Sequence, residues 1–194
     1  MVVVEGLPVE WAMNPRLSRA LGAFSPRSLS NSFVHSAAAE DDRSMDSKRR
    51  AVIDPLIELA SSPDHRDRAD AGRGLAVFAD TQQARDFLVA LVLDTHDTFV
   101  TRVTAQAVLR RQDKIGYAIV SRALAVADDN HSDWIHTAIV DIFGIYAAER
   151  DAAVRECRTL LDDNDETVQA GTRLLMTALN ALTPVPVPLK PAAT

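Results

Sequence analysis

Apolar residues in the middle of the chain recur every three to four positions, the spacing that places them on one face of an α-helix. This pattern runs from Lys48 to Leu182, where each periodic run is followed by a short polar turn and then by a second periodic run. Seven glycines in 194 residues and few β-branched alternations leave little material for hairpins. The chain is therefore predicted to be all-α, with its helices in consecutive pairs.

The predicted pairs repeat with periods of 34, 33 and 33 residues. Small residues align in the second helix of each pair, aliphatic residues follow four positions later, and a third apolar column lies fourteen residues upstream. A small side chain lets one helix backbone approach its neighbour closely, so stacked pairs are expected to share one core. The three columns contain Ala71, Ala105, Ala138 and Gly171; Leu75, Leu109, Ile142 and Leu175; and Ile57, Leu91, Leu124 and Cys157.

The turns inside the pairs read SSPDHRD, DTHDT, DDNHSD and DDNDE. Asp, Asn and Ser side chains accept hydrogen bonds from the free N–H groups at a helix start, so each turn is predicted to open the second helix of its pair. Inward stripes are expected in both helices of a pair. They comprise Ile53 with Ile57, Phe87 with Leu91 and Val120 with Leu124 in first helices, and Ala71, Leu75 and Phe78, or Ala138, Ile142 and Ile145, in second helices.

This arrangement resembles HEAT repeats, with armadillo-type repeats as near relatives, over residues from about 48 to 182. The family pattern has an Asp in the turn and an Arg early in the second helix. Asp64 with Arg68 and Asp97 with Arg102 match it, whereas Ile135 and Val168 occupy the Arg position of the last two pairs. The resemblance implies a right-handed α-solenoid of about four antiparallel helix pairs. It also implies that the second helices line a concave side that holds another macromolecule.

Two segments flank the repeat domain, which is assigned to residues 46–183. Residues 1–45 are Ser-rich and contain no Asp or Glu between Ala12 and Ala39, so they are predicted to be largely disordered, with PRLSRALGAF as one candidate helix. Translation starting at Met45 is a further alternative. Residues 184–194 alternate proline with other residues and are predicted to form an extended tail.

Charge and composition limit the classes of partner that the chain can bind. The chain has 27 acidic and 21 basic side chains, a net charge of −6, so it lacks the basic surface of a general nucleic-acid binder. One cysteine cannot form an intramolecular disulfide, and no run of about 18 uncharged apolar residues is present to cross a bilayer. The sequence therefore predicts a cytoplasmic protein with neither a nucleic-acid nor a membrane partner.

Catalytic signatures are missing from the sequence. It contains no phosphate-binding glycine loop, no nucleophile elbow and no HExxH motif, and Cys157 falls in an apolar column where burial is expected. His65, His96 and His131 each lie in a different turn, and packed helices are about 10 Å apart, too far for one ion to bridge them. They are interpreted as solvated. No enzyme activity, cofactor or metal is predicted.

Acidic turns and one tryptophan are the candidate binding features. Helix capping is the structural alternative for the acidic residues, and packing under the preceding turn is the alternative for Trp134, whose repeat equivalents are polar. The predicted function is a non-enzymatic protein-binding scaffold or adaptor that uses the concave face and the acidic turns between helices, with a basic protein as the candidate partner. The alternatives are an inhibitor or immunity-type protein that masks a basic toxin or enzyme, and an accessory enzyme comparable to HEAT-like lyases. The candidate partner-binding residues are Trp134, Asp133, His136, Asp141, Asp70, Arg73, Arg173, Asp97, Asp129 and Asp163.

Overall fold

The computed structural model describes residues 37–184, with side chains from Ser47 onward, and the secondary-structure elements of this part of the chain are all α-helices. The prediction of an all-α protein is confirmed for these residues. The candidate helix in PRLSRALGAF lies outside the described residues, as does the tail beyond Pro184. The first helix begins at Ala37, upstream of the predicted start of the repeat domain at residue 46.

Eight helices make up the described part of the chain, and they follow one another with short connections. They are α1 (Ala37–Ala60), α2 (His65–Val77), α3 (Gln82–Val92), α4 (Thr98–Leu109), α5 (Lys114–Leu124), α6 (Asp129–Phe143), α7 (Ala147–Arg158) and α8 (Glu166–Ala181). The odd-numbered helices are the first members of the predicted pairs and the even-numbered helices are the second members.

Aspartates open all four second helices, as the turn composition predicted. In each case a carboxylate oxygen accepts a hydrogen bond from an N–H group two or three residues further on, which satisfies one of the donors left free at a helix start. The capping residues are Asp64 for α2, Asp97 for α4, Asp128 for α6 and Asp165 for α8.

Most of the predicted column positions lie in the core. Ala71, Ala105, Ala138 and Gly171 are all buried, as are Leu91, Leu124 and Cys157 of the upstream column and Leu75, Leu109 and Leu175 of the downstream column. Ile57 and Ile142 are half-buried.

Ile145 differs from its predicted place in the inward stripe, since 57% of its surface is exposed. Helix α6 ends at Phe143 and Gly144 caps it, so Ile145 falls beyond the helix and out of its periodicity. The fully buried Phe143 fills the core at this level instead.

The second helices pack in a row that stops at α6. Helix α2 packs against α4, and α4 packs against α6, but α8 packs mainly against α5, the first helix of the preceding pair. The sequence repeat had placed α8 after α6 in the same row. The structure differs there because Gly171 of α8 lies directly against the backbone carbonyl of Ser121 on α5, an approach that only a residue without a Cβ permits.

Candidate functional site: the turn edge

The four turns that open the second helices carry most of the candidate residues. We call these turns, residues 61–64, 93–97, 125–128 and 159–165, together with the first five residues of the helix that follows each of them, the turn edge. Side-chain contacts join the first three turns to one another and the fourth turn to α5, and these contacts determine which of the predicted residues come together.

Arg68 and Asp94 join the first turn to the second. Nε of Arg68 donates to Oδ2 of Asp94 at 2.7 Å and Nη2 donates to Oδ1 at 3.1 Å, so the guanidinium contacts both carboxylate oxygens. Nη1 donates to the carbonyls of Ser62 and Pro63 at 3.0 and 3.1 Å. The two side chains are only 7% and 6% exposed, so this is a buried ion pair.

Asp94 also organises the second turn. Its Oδ1 accepts hydrogen bonds from the N–H groups of Asp97 at 2.8 Å and His96 at 3.0 Å. Burial acts to raise the pKa of Asp94, but the hydrogen bonds from Arg68 and from these N–H groups outweigh burial and hold the pKa below its ordinary value. Asp94 therefore remains a carboxylate in a buried position.

His131 joins the third turn to the second. Its Nδ1 lies 2.6 Å from Oδ1 of Asp128, and its Nε2 lies 3.1 Å from the backbone carbonyl oxygen of Asp94. The side chain is only 12% exposed. The expectation that the turn histidines are solvated is therefore wrong for His131. It holds for His96, which is exposed.

Arg122 joins the fourth turn to the end of α5. Its Nη2 donates to Oδ2 of Asp165 at 2.6 Å, and this hydrogen bond, together with that from the N–H of Thr167, lowers the pKa of Asp165. Both side chains of the ion pair are partly exposed. Because α5 leads directly into the third turn, the fourth turn lies beside the third, and the turn edge continues through all four pairs.

Four of the predicted partner-binding residues lie on the turn edge. Asp97 caps α4 and its Oδ2 lies 3.8 Å from Nδ1 of His65. Asp163 is half-buried and accepts a hydrogen bond from the N–H of Asp165 at 3.0 Å. Asp129 and Asp133 are exposed at the start of α6.

Trp134 and His136 lie near the start of α6, next to the acidic residues of the turn edge. Trp134 is half-buried, and its repeat equivalents Asp67 and Thr101 are buried, so this position faces inward in the first two pairs. The ring is accessible over only part of its surface. His136 is exposed.

The remaining four predicted residues lie further along the second helices and away from the turns. Nη1 of Arg73 donates to Asp70 at 2.7 Å within α2, and Nη2 of Arg173 contacts Oε1 of Gln169 at 3.4 Å within α8. Asp141 of α6 pairs with Arg102 of α4 at 2.7 Å and accepts a second hydrogen bond from Gln106 at 2.7 Å. The structure therefore separates these residues from the acidic turns.

Sequence reasoning missed the two residues that connect the turns, Asp94 and His131. Arg68 matches the Arg position of the family pattern, and the structure pairs it with Asp94 of the next turn. Arg102, the second matching Arg, reaches Asp141 instead, and His131 makes the connection between the second and third turns. The spacing Asp128-x-x-His131 across a helix start is the signal that points to this side-chain contact.

A groove of about 740 Å³ lies between the ends of α1 and α3 and the first two turns. Its ionisable groups are Arg68 and Asp94, which bind each other, and His96 at the rim. The other lining residues are Ala60, Ser61, Ser62, Pro63, Phe87, Ala90, Leu91, Leu93 and Thr95. With its guanidinium bound to Asp94 and to two carbonyls, Arg68 contributes shape to this groove rather than a free charge.

Cys157 is fully buried, as its column predicted. Burial raises the pKa of the thiol to about 12, with a smaller contribution from Glu156, so the reactive thiolate is disfavoured. Among the side chains of residues 47–184, His, Cys, Asp and Glu form no group of three or more that could hold a metal ion. Across the same residues, no helix combines the length and apolar character needed to cross a bilayer.

Comparison with known proteins does not assign the chain to a family. No protein-family model matches it, and no curated protein matches its sequence. The chain is similar to the crystal structure of an engineered protein, with 20% identity over 70% of this chain and 67% of that chain, and a TM-score of 0.31. At that TM-score the likeness does not indicate a shared fold.

Proposed function

We propose that this protein is a non-enzymatic scaffold of stacked helix pairs, of the HEAT type, that binds a basic protein through its turn edge and the adjoining concave surface. One observation carries the proposal. Several exposed carboxylates remain on the turn edge after helix capping and ion pairing account for the others.

Capping explains only part of the acidic character. Asp64, Asp97, Asp128 and Asp165 cap helices, and Asp94 and Asp163 bind N–H groups within their turns. Four further carboxylates on the edge are exposed and form no ion pair within the part of the chain that the structure describes. They are Asp129, Asp133, Asp162 and Glu166.

The exposed cations near the turn edge are fewer than its exposed carboxylates. Arg68 binds Asp94 and Arg122 binds Asp165, which leaves Arg66 in the first turn and Arg158 before the fourth turn as exposed cations. Arg110, Arg111 and Lys114 lie instead in and beside the turn that connects the second pair to the third. Negative charge is therefore concentrated where the second helices begin. Such a surface attracts a basic partner and accelerates its association in a salt-dependent way.

The surface formed by the second helices has a different character. Its carboxylates are paired with arginines, Asp70 with Arg73 and Asp141 with Arg102, so it contributes hydrogen-bonding groups and shape rather than net charge. Trp134 lies between this surface and the acidic turn residues. We therefore assign the attraction of the partner to the turn edge and its orientation to the second helices.

The same edge serves the alternative of an inhibitor or immunity-type protein, because masking a basic toxin requires the same complementarity. The accessory-enzyme alternative places a small molecule in the groove beside Arg68 and Asp94. The pairing of these two groups with each other gives that alternative less support.

The proposal is tested with two full-length variants that change the net charge equally. The edge variant carries Asp129→Asn, Asp133→Asn, Asp162→Asn and Glu166→Gln. The control variant neutralises four carboxylates on α1, α3 and α7 by Asp54→Asn, Glu58→Gln, Asp86→Asn and Glu149→Gln. Each protein is immobilised, and partners captured from a native lysate are identified by mass spectrometry and then measured individually for affinity.

A basic protein captured by the wild type should bind the edge variant about tenfold more weakly and the control variant almost unchanged, since several exposed charges each contribute a small energy. The binding of the wild type should also weaken with added salt. Equal binding by both variants would show that the turn edge is not the contact surface. A small molecule that copurifies with the chain, in place of a protein, would favour the accessory enzyme.

A further inference from the structure

The ring of His131 has an acceptor at each of its two nitrogen atoms. Nδ1 lies 2.6 Å from a carboxylate oxygen of Asp128, which caps the same helix, and Nε2 lies 3.1 Å from the backbone carbonyl oxygen of Asp94 in the preceding turn. With 12% of the side chain exposed, water has little access to replace either contact. The ring therefore links two successive helix pairs.

The chemistry of these partners specifies the protonation state. A backbone carbonyl and an ionised carboxylate only accept hydrogen bonds, whereas a neutral imidazole carries a single N–H group. Both contacts are hydrogen bonds only when the ring is an imidazolium. After deprotonation the shorter bond to the carboxylate keeps the remaining proton, and the Nε2 lone pair then faces the carbonyl oxygen of Asp94.

We propose that His131 is a pH-dependent link between the second and third helix pairs. Both of its hydrogen bonds form while the imidazole is protonated, and the one to the Asp94 carbonyl is lost when the ring loses its proton. This inference does not depend on the proposed binding function, because it concerns the contact between the pairs.

The surrounding charges bear on the pKa in both directions. Burial acts to lower the pKa of His131, and the positive end of the α6 dipole opposes a cation at this position. The hydrogen bonds to the Asp94 carbonyl and the Asp128 carboxylate, with the charges of these two residues, outweigh burial and raise the pKa. The carboxylate of Asp94 is already bound to Arg68, so Asp128 is the principal counter-ion.

The sign of the pH dependence follows from the raised pKa. The imidazolium contributes stability that is fully present below the pKa of an unfolded histidine, about 6.5, and is lost as the pH rises through the higher pKa of the folded state. The contact between the pairs should therefore weaken as the pH rises through that higher pKa.

The link is tested first by an NMR titration of the full-length protein. The ring signal of His131 is identified by its loss in His131→Gln. Its titration midpoint should lie above that of the same histidine in urea, and it should fall in Asp128→Asn, in which the Asn side chain still caps α6. A midpoint at or below that of the unfolded chain, or no change in Asp128→Asn, would overturn the proposal.

Thermal unfolding at about pH 5.5 and about pH 8.5 supplies the second test. The melting temperature of the wild type should be about 2 to 4 °C lower at the higher pH, the shift expected for one hydrogen bond in a domain of this size. His131→Gln should lose this difference, because its amide donates at any pH, whereas His136→Gln, altered at an exposed position on the same helix, should keep it. The same difference in melting temperature between the two pH values in the wild type and in His131→Gln would contradict the link. If His131→Gln does not fold, Asp128→Asn is measured in its place.

Discussion

The row formed by α2, α4 and α6 and the contact between α8 and α5 both depend on a glycine, but different atoms face it. A Cβ on Gly72 of α2 would lie 2.2 Å from the Oγ1 of Thr104 on α4, a side chain. A Cβ on Gly171 of α8 would lie 1.7 Å from the backbone oxygen of Ser121 on α5. The first contact can be relieved by changing one side chain, whereas the second requires a helix to move.

The two regions also differ in how deeply their ion pairs are buried. The Arg68–Asp94 pair of the row is buried, whereas the Arg122–Asp165 pair between α5 and α8 is partly exposed. The row is thus held by a desolvated ion pair, and the last helix is held by close backbone packing. Gly72 and Gly171 occupy adjacent positions of the repeat, and each admits different atoms of the neighbouring helix.

The largest expected effect comes from breaking the buried ion pair of the row. Arg68→Met leaves the Asp94 carboxylate buried without its cation, so we expect a loss of about 3 to 5 kcal/mol in the free energy of unfolding, measured with urea near neutral pH. The matched Arg122→Met should cost much less, because water solvates Asp165. The penalty of Arg68→Met should shrink as the pH falls toward the ordinary aspartate pKa of 3.8, since a protonated Asp94 needs no cation. Equal losses in the two variants would remove the distinction between the regions.

A smaller effect is expected at the glycines. Alanine is ordinarily about 1 kcal/mol better than glycine inside a helix, yet Gly171→Ala should lower the free energy of unfolding by about 2 to 3 kcal/mol through overpacking. Gly72→Ala should lose less, and adding Thr104→Ala should restore its stability. Adding Ser121→Ala to Gly171→Ala should restore nothing, because the obstructing atoms belong to the backbone. Restored stability in that double variant would show that the α5–α8 contact accommodates a Cβ on residue 171, as the row accommodates one on residue 72.

The smallest effect separates two buried threonines. Thr172 of α8 contacts the hydroxyl of Ser121 at 3.0 Å, whereas the hydroxyl of Thr104 has no hydrogen-bond partner among the described residues. Thr172→Val leaves the Ser121 hydroxyl unpaired and should cost about 1 kcal/mol, whereas Thr104→Val should be neutral or slightly stabilising. Calorimetric unfolding of the two variants measures the difference. If Thr104→Val cost as much as Thr172→Val, the Thr104 hydroxyl would also have a hydrogen-bond partner, and the two regions would not differ in this respect.

Local signals in the sequence were sufficient to predict much of the structure of the turn edge. Capping by Asp64, Asp97, Asp128 and Asp165 depends on a side chain and an N–H group two or three residues apart, so turn composition predicted it. Burial of Cys157 followed from periodicity in the same way. Contacts between turns were out of reach of this reasoning, because Asp94 is 26 residues from Arg68 and 37 from His131. Only helix packing brings those residues together, and that is why the solvated interpretation of His131 was wrong.

By itself, the sequence determined that the described part of this protein is helical, where its second helices begin and which faces of them are buried, since hydrogen bonding and hydrophobic periodicity act over a few residues. The tertiary structure alone decided that α8 leaves the row and packs on α5. Both α5 and α6 offered an apolar face, and the closest approach depended on the backbone that faces Gly171, which no repeat pattern records.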